Sequence, residues 1–300
     1  MAIISFMNMK GGVGKTTLCV NLADALATYH NKKVLIIDMD PQFNSSQYLL
    51  RVMHGKDHIK VYENYKKNHK TIYSLYDEKQ TDNRDNKKSS AALFNTKTID
   101  DSHLKKSYTV NIKKNLDIIL GDIDLLEIQI NQKSGAENIL KKHIELADLR
   151  EKYEYIFIDS PPTYSVFFIS SYLSCDAYIL PVKPDYLSST GIALLSRAED
   201  SIFQTFAEKK IALGIIYTLI DPRNHLHVPV QEEIEEEVGK ENIFNEEIKY
   251  FKSIPEGLSN QKLMLEIFEN KISTSIKNLS EEFISRIENN LLSIRKEEDE

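Results

Sequence analysis

The chain has 300 residues, 41% of them hydrophobic, with 38 Lys and Arg against 45 Asp and Glu and a formal net charge of −7. That size is enough to bury a sizeable core in one α/β domain, and the mild acidity excludes a nucleic-acid partner held by the overall field, leaving only a local basic patch for such a contact. No window approaches the ~20 apolar residues of a membrane span, no signal-type segment opens the chain, and Cys19 and Cys175 lie in apolar stretches without CxxC spacing, which points to a reducing cytoplasm and two buried thiols.

The first predicted element is a strand at residues 2–7 (AIISFM), which runs into KGGVGKTT at 10–17 and then a helical pattern of Leu18, Leu22, Ala25, Leu26 and Tyr29. The loop fits GxxxxGK[ST] with Gly14, Lys15 and Thr16 as its GKT, except that the first glycine position falls on Met9. Gly11, Gly12 and Gly14 let the main chain of Gly11, Gly12, Val13, Gly14, Lys15, Thr16 and Thr17 close on a β-phosphate, and the following helix adds its positive N-terminal dipole. Lys15 is placed to span β- and γ-phosphates and Thr16 to ligate Mg²⁺. Lys10 is left without a task, because Lys15 already supplies the cation this loop needs.

A second strand, residues 33–38 (KVLIID), delivers Asp38 and Asp40 to one side of its carboxyl end in MDPQFNSS. Residues 51–110 then break the rhythm: they are rich in Lys, Asn, Asp and Tyr, the run at 77–90 has no apolar period, and the segment reads as a hydrophilic surface insert. Further strands follow at 116–120 (LDIIL), 155–159 (YIFID), 177–182 (AYILPV) and 211–220 (IALGIIYTLI), with one helical pattern from Ile139 through Leu149 before the fourth. Asp159 ends the YIFID strand as a carboxylate suited to a Mg²⁺-bound water, and Pro161 and Pro162 stop the ladder behind it. A last helical stripe carries Ile276, Leu279, Phe283, Ile284, Ile287, Leu291 and Leu292 and is expected to dock on the sheet. Unbroken apolar strands alternating with helices predict an α/β fold with a doubly wound, mainly parallel sheet, covered on both faces, whose ligand crevice lies at the carboxyl ends of the strands.

These motifs, in this order, resemble the ParA/MinD family of deviant Walker A ATPases: KGGxGKT at Lys10–Thr16, DxDPQxN from Asp38, and an apolar run ending DxPP at Asp159. The likeness runs from residue 2 to about residue 270, is weakest over 51–110, and implies a single ATPase domain over residues 1–300. Phe43 departs from it, standing where relatives usually have glycine. The resemblance implies ATP and Mg²⁺ as cofactors, Asp40 positioning the attacking water, Asp38 supporting the metal site with Thr16 and Asp159, and Lys10 and Lys15 as the two catalytic cations. Lys10 would act across a homodimer interface on the partner's nucleotide, so that two ATP molecules are sandwiched between two chains.

By the same resemblance Thr218, Lys249, Tyr250 and Phe251 would lie near the base, and Arg197, Lys249 and Lys252 would contact non-specific DNA, with a centromere-binding ParB-like adaptor stimulating hydrolysis and the protein sitting on the nucleoid. The tail RKEEDE argues against the basic amphipathic helix of a membrane-bound relative. The alternative is an ATP-dependent metabolic or cofactor-assembly enzyme on the same fold. Against it, His54, His58, His69, His225 and His227 have no cysteine partner and form no ligand spacing.

Overall fold

All six apolar runs are strands: β1 (Ala2–Phe6), β2 (Val34–Asp38), β4 (Leu116–Ile119), β5 (Tyr155–Asp159), β6 (Ala177–Val182) and β7 (Ile211–Ile220). Two short edges join them, β3 (Val110–Lys113), antiparallel to β4, and β8 (Ile248–Lys249), parallel to β7. In this computed structural model, which describes residues 1–77, 101–131, 134–250, 261–267 and 270–298, the strands form one sheet of order β3-β4-β2-β5-β1-β6-β7-β8, parallel apart from β3. Chain order reverses on either side of β1, so the crevice of such a sheet opens at the carboxyl ends of β1, β2 and β5.

Alternate strand residues feed two cores. Ile4, Phe6, Ile36 and Phe157 face α1 (Lys15–Thr28) and the last helix, whose Ile276, Leu279, Phe283 and Ile287 are buried. Phe283 meets Tyr155 and Phe157 edge-on, each at 5.5 Å between centroids. Ile3, Leu35, Ile37 and Ile158 face the opposite layer, which includes α6 (Ile139–Leu146), α8 (Val166–Ser174), α9 (Ser188–Phe206) and α10 (His227–Val238). Cys19 and Cys175 are free and buried. At the β3 edge, the Lys113 ammonium pairs with fully buried Asp24 of α1, which also accepts from Thr28 Oγ1 at 3.0 Å, so the strand is fastened to the helix by a charge that would be costly to leave alone.

Two expectations need correction. The helical pattern from Ile139 to Leu149 is interrupted: Asp148 takes a left-handed conformation (φ 52°) and α7 (Leu149–Lys152) restarts, because the chain must turn into β5 while keeping Leu149 in the core. The described parts of 51–110 are not a surface excursion either. They form α2 (Asn44–His54), α3 (His58–Lys67) and α4 (Tyr73–Tyr76), and bury Tyr62, Ile72, Leu75, Tyr76, Leu104 and Tyr108. A few large side chains, three tyrosines and three aliphatics, do the covering while Lys, Asn and Asp face outward, so mean composition concealed the pattern. Residues 78–100, which hold most of the aperiodic run, lie outside the described residues. After α5 (Leu125–Asn131), the last helix is α11 (Asn270–Glu298); the side chains of Leu291 and Leu292 lie outside those described.

Candidate nucleotide-binding site

β1 ends at Phe6 and the chain crosses the top of the sheet before turning into α1. Asn8 fixes the crossing: its Nδ2 donates to Pro181 O at 2.8 Å and its Oδ1 accepts from the Lys10 N–H at 2.8 Å. Gly12 (φ 73°) and Gly14 (φ 81°) are left-handed, which residues with a Cβ rarely adopt. The space above Gly11 and Gly12 is open, with no atom within 4 Å of where a Cβ would stand. Thr218, at the far end of β7, donates its hydroxyl to Val13 O at 2.6 Å and ties the loop to the sheet.

Lys15 is buried, and its Nζ donates to Asn8 O (3.0 Å) and Lys10 O (3.2 Å). Burial lowers its pKa, against the opposing pull of Asp159 and Asp40. Asp38 and Asp159 are register partners on β2 and β5. Asp159 Oδ2 accepts from Thr16 Oγ1 (2.8 Å) and Ser45 Oγ (2.7 Å), while its Oδ1 is buried with no partner. Asp38 Oδ2 accepts from the Ser46 N–H (2.9 Å) and hydroxyl (2.7 Å). Asp40 is buried and its Oδ1 accepts from the Gln42 N–H at 2.9 Å. Three buried acids thus stand near one another, two of them, Asp159 and Asp40, acting on Lys15, and burial pushes all three carboxyl pKa values up. A hydroxyl beside an orphaned buried carboxylate oxygen is a donor set that fits Mg²⁺, which takes one or two protein oxygens and fills the rest with phosphate and water.

Residues 1–213 match the family model AAA_31, an AAA domain. The chain belongs to the ParA/MinD family of deviant Walker A P-loop NTPases. An uncharacterized protein of Mycobacterium tuberculosis is 30% identical over 223 residues, 74% of this chain, and this chain spans only 59% of that relative's length. The sporulation initiation inhibitor protein Soj of Bacillus subtilis is 28% identical over 77% of this chain and 78% of its own. A Borrelia burgdorferi B31 protein assigned to plasmid partition, solved with AMPPNP bound, shares the fold with a TM-score of 0.68 and 22% identity over 95% of this chain and 98% of that one.

The signature lysine of the ParA/MinD family, Lys10, does not reach into its own loop: its ammonium pairs with the Asp185 carboxylate. Burial pushes the Asp185 carboxyl up, but hydrogen bonds from Lys10 and the Leu187 N–H outweigh it and hold the group below the usual carboxylate range. Thr16, Asp159, Lys15 and Thr218 gather at the loop, and Asp38 and Asp40 stand beside them, although the Asp38 Oδ2 oxygen is taken by Ser46. Thr17 follows on α1, its carbonyl accepting from Asn21. Lys249 lies on β8, where Ile248 pairs with Thr218, and the Tyr250 N–H donates to Ile220 O; both side chains are exposed. Arg197 is exposed on α9, away from these contacts, and Phe251 and Lys252 lie outside the described residues. Asn8, Ser45, Ser46 and Asp185 were missed. The serines directly follow the DPQxN stretch, where a hydroxyl next to paired carboxylates was the available signal, but nothing local marks Asp185, which stands 175 positions from its partner.

The Asp159 pKa is raised to about 6, chiefly by burial, against hydrogen bonds from Ser45 and Thr16. A carboxyl whose folded pKa exceeds its unfolded one binds more protons in the native state, so metal-free stability falls as pH rises from about 4 through about 6. Asp159→Asn is therefore expected to melt above wild type at pH 7 without nucleotide or metal and to lose that advantage at pH 5, in thermal melts at the two pH values.

Proposed function

We propose that this chain is an ATP hydrolase that works as a switch for DNA segregation or cargo positioning, pairing two copies around ATP. The observation that carries the reading is the division of labour between two lysines. Lys15 is enclosed by the main chain of its own loop, while Lys10 is held outside by Asp185, on the surface from which a second protomer's phosphates would be approached.

In this reading the loop N–H groups from Gly11 to Thr16 bind the phosphates and Lys15 leaves its two carbonyls for the β- and γ-phosphates. Thr16 and Asp159 would hold Mg²⁺, with Asp38 keeping Ser46 and the following helix in place; bound there, the ion would neutralise charge on the phosphate oxygens. Asp40 orients the attacking water and takes up its proton. The free-enzyme pKa of Asp40 is raised by burial, which favours proton acceptance over a fully solvated carboxylate. Lys10 exchanges Asp185 for the partner's γ-phosphate, adding a cation only once two chains have met. The paired form would hold non-specific DNA through exposed basic residues, Arg197 and Lys249 among them, and a ParB-like adaptor would trigger hydrolysis and release. Among the described residues no helix is long and apolar enough to cross a membrane.

The test is retention on arbitrary duplex DNA with ATP, ADP or no nucleotide, alongside light scattering for mass. The reading expects a doubling of mass and DNA retention with ATP alone, with retention falling steeply as salt rises. A chain that stays monomeric with ATP and ignores DNA at low salt refutes it.

A further inference from the structure

Phe43 is the N-cap of α2 and lies in the left-handed region (φ 43°, ψ 41°), a conformation that a residue with a Cβ adopts at a cost and that glycine adopts freely. The loop is nevertheless closed around it: the Phe43 N–H donates to Asp40 O at 2.8 Å and its carbonyl accepts from the Gln47 N–H at 3.0 Å. Its ring lies flat on Tyr62 of α3, 4.9 Å between centroids and 10° between planes. Tyr62 is buried, and its hydroxyl donates to Gly121 O at 3.1 Å.

The contacts then return to the carboxylates. The Gly121 N–H donates to Ser46 Oγ at 2.7 Å, and Ser46 holds Asp38 through its N–H and hydroxyl. A Cβ on Gly121 would stand 2.7 Å from Phe43 Cβ and 2.8 Å from Asp38 Cγ, so the turn after β4, the Phe43 Cβ and the acid are closely packed. Lys66, one turn beyond Tyr62, reaches Asp122 and Asp124, both at 2.7 Å, and pins α3 to the same turn.

We propose that Tyr62 and Phe43 are positioning residues: α3 clamps the Asp38–Ser46 loop in the conformation that aims Asp40 at the phosphate site. The ring stack supplies what glycine supplies elsewhere by freedom alone, a left-handed turn at this position, and makes that turn rigid. The consequence for turnover rests on the role proposed for Asp40; the clamp itself does not.

Two measurements separate them. Hydrogen exchange in the nucleotide-free chain reads the amides of Gln42, Phe43, Ser46 and Gly121; in Tyr62→Leu and Phe43→Gly they are expected to exchange at least about tenfold faster, while those of β5 stay as in wild type. Steady-state turnover with MgATP is expected to lose about tenfold or more in kcat in the same variants, with KM within about twofold, because a misplaced general base costs rate rather than binding. Phe43→Tyr, which keeps the stacked ring, is expected to recover most of the rate lost in Phe43→Gly. Unchanged exchange at the four amides overturns the proposal, and so does a wild-type kcat in both variants or an equal loss of binding and rate. A wild-type chain that hydrolyses no ATP sinks the proposed function and leaves the clamp to be decided by exchange alone. Should Tyr62→Leu fail to fold, Tyr62→Trp gives the chain its single indole; its emission must then change when Phe43→Gly is added, and constancy rejects the stack.

Discussion

Lys10→Ala is expected to leave ATP affinity of the isolated protomer within about twofold of wild type and to lower stimulated turnover by on the order of 10³-fold, the scale of a trans-acting cation in phosphoryl transfer. The asymmetry follows from where the side chain is. Only the main chain of Lys10 belongs to the phosphate loop, where its carbonyl receives Lys15 at 3.2 Å, and alanine keeps that carbonyl. The ammonium belongs to Asp185, which also caps the turn into α9 by accepting from the Leu187 N–H at 3.0 Å. Equilibrium binding of ATP and single-turnover hydrolysis, each with and without DNA, check both halves. Loss of ATP binding in step with turnover would mean that Lys10 acts within its own protomer.

Asp40→Asn is expected to bind ATP as wild type does and to lose hydrolysis by about 10²-fold or more, the usual worth of a positioned general base. Asparagine still accepts the Gln42 N–H that Asp40 Oδ1 holds at 2.9 Å, so the loop survives and only proton acceptance goes. The variant also removes one of the two buried carboxylates, Asp40 and Asp159, whose charge acts on Lys15, which adds to its hold on the triphosphate rather than subtracting from it. The outcome is a chain arrested with ATP bound, visible as a persistent double-mass species on DNA with ATP. Wild-type turnover in Asp40→Asn would move the base elsewhere.

The parts of the fold and site that were legible are those written in short stretches of chain. Six strands announced themselves by unbroken apolar runs because a parallel sheet covered on both faces permits nothing else there. The strand β3 was illegible for the opposite reason: an edge strand alternates, as Val110, Asn111 and Ile112 do, and is too short to stand out from a turn. The insert was misread because Tyr62, Ile72, Leu75 and Tyr76 act singly, each covering a patch of sheet that only the folded chain brings beneath it. Phe43 could be flagged as unusual from its motif, but its partner Tyr62 comes from a helix with no motif at all.

The amino-acid order by itself determined six of the sheet's eight strands, the phosphate loop and the three acids at strand ends, since glycine torsions, strand alternation and helix dipoles are properties of neighbouring residues. Only the tertiary structure decided that Ser45 and Thr16 share the Asp159 carboxylate, that Asp185 pairs with Lys10, and that a ring on α3 stacks on Phe43 of the Asp40 loop. Those are contacts between segments far apart in the chain, and which distant groups meet is set by how both faces of the sheet are packed, a sum over the whole core that no local pattern encodes.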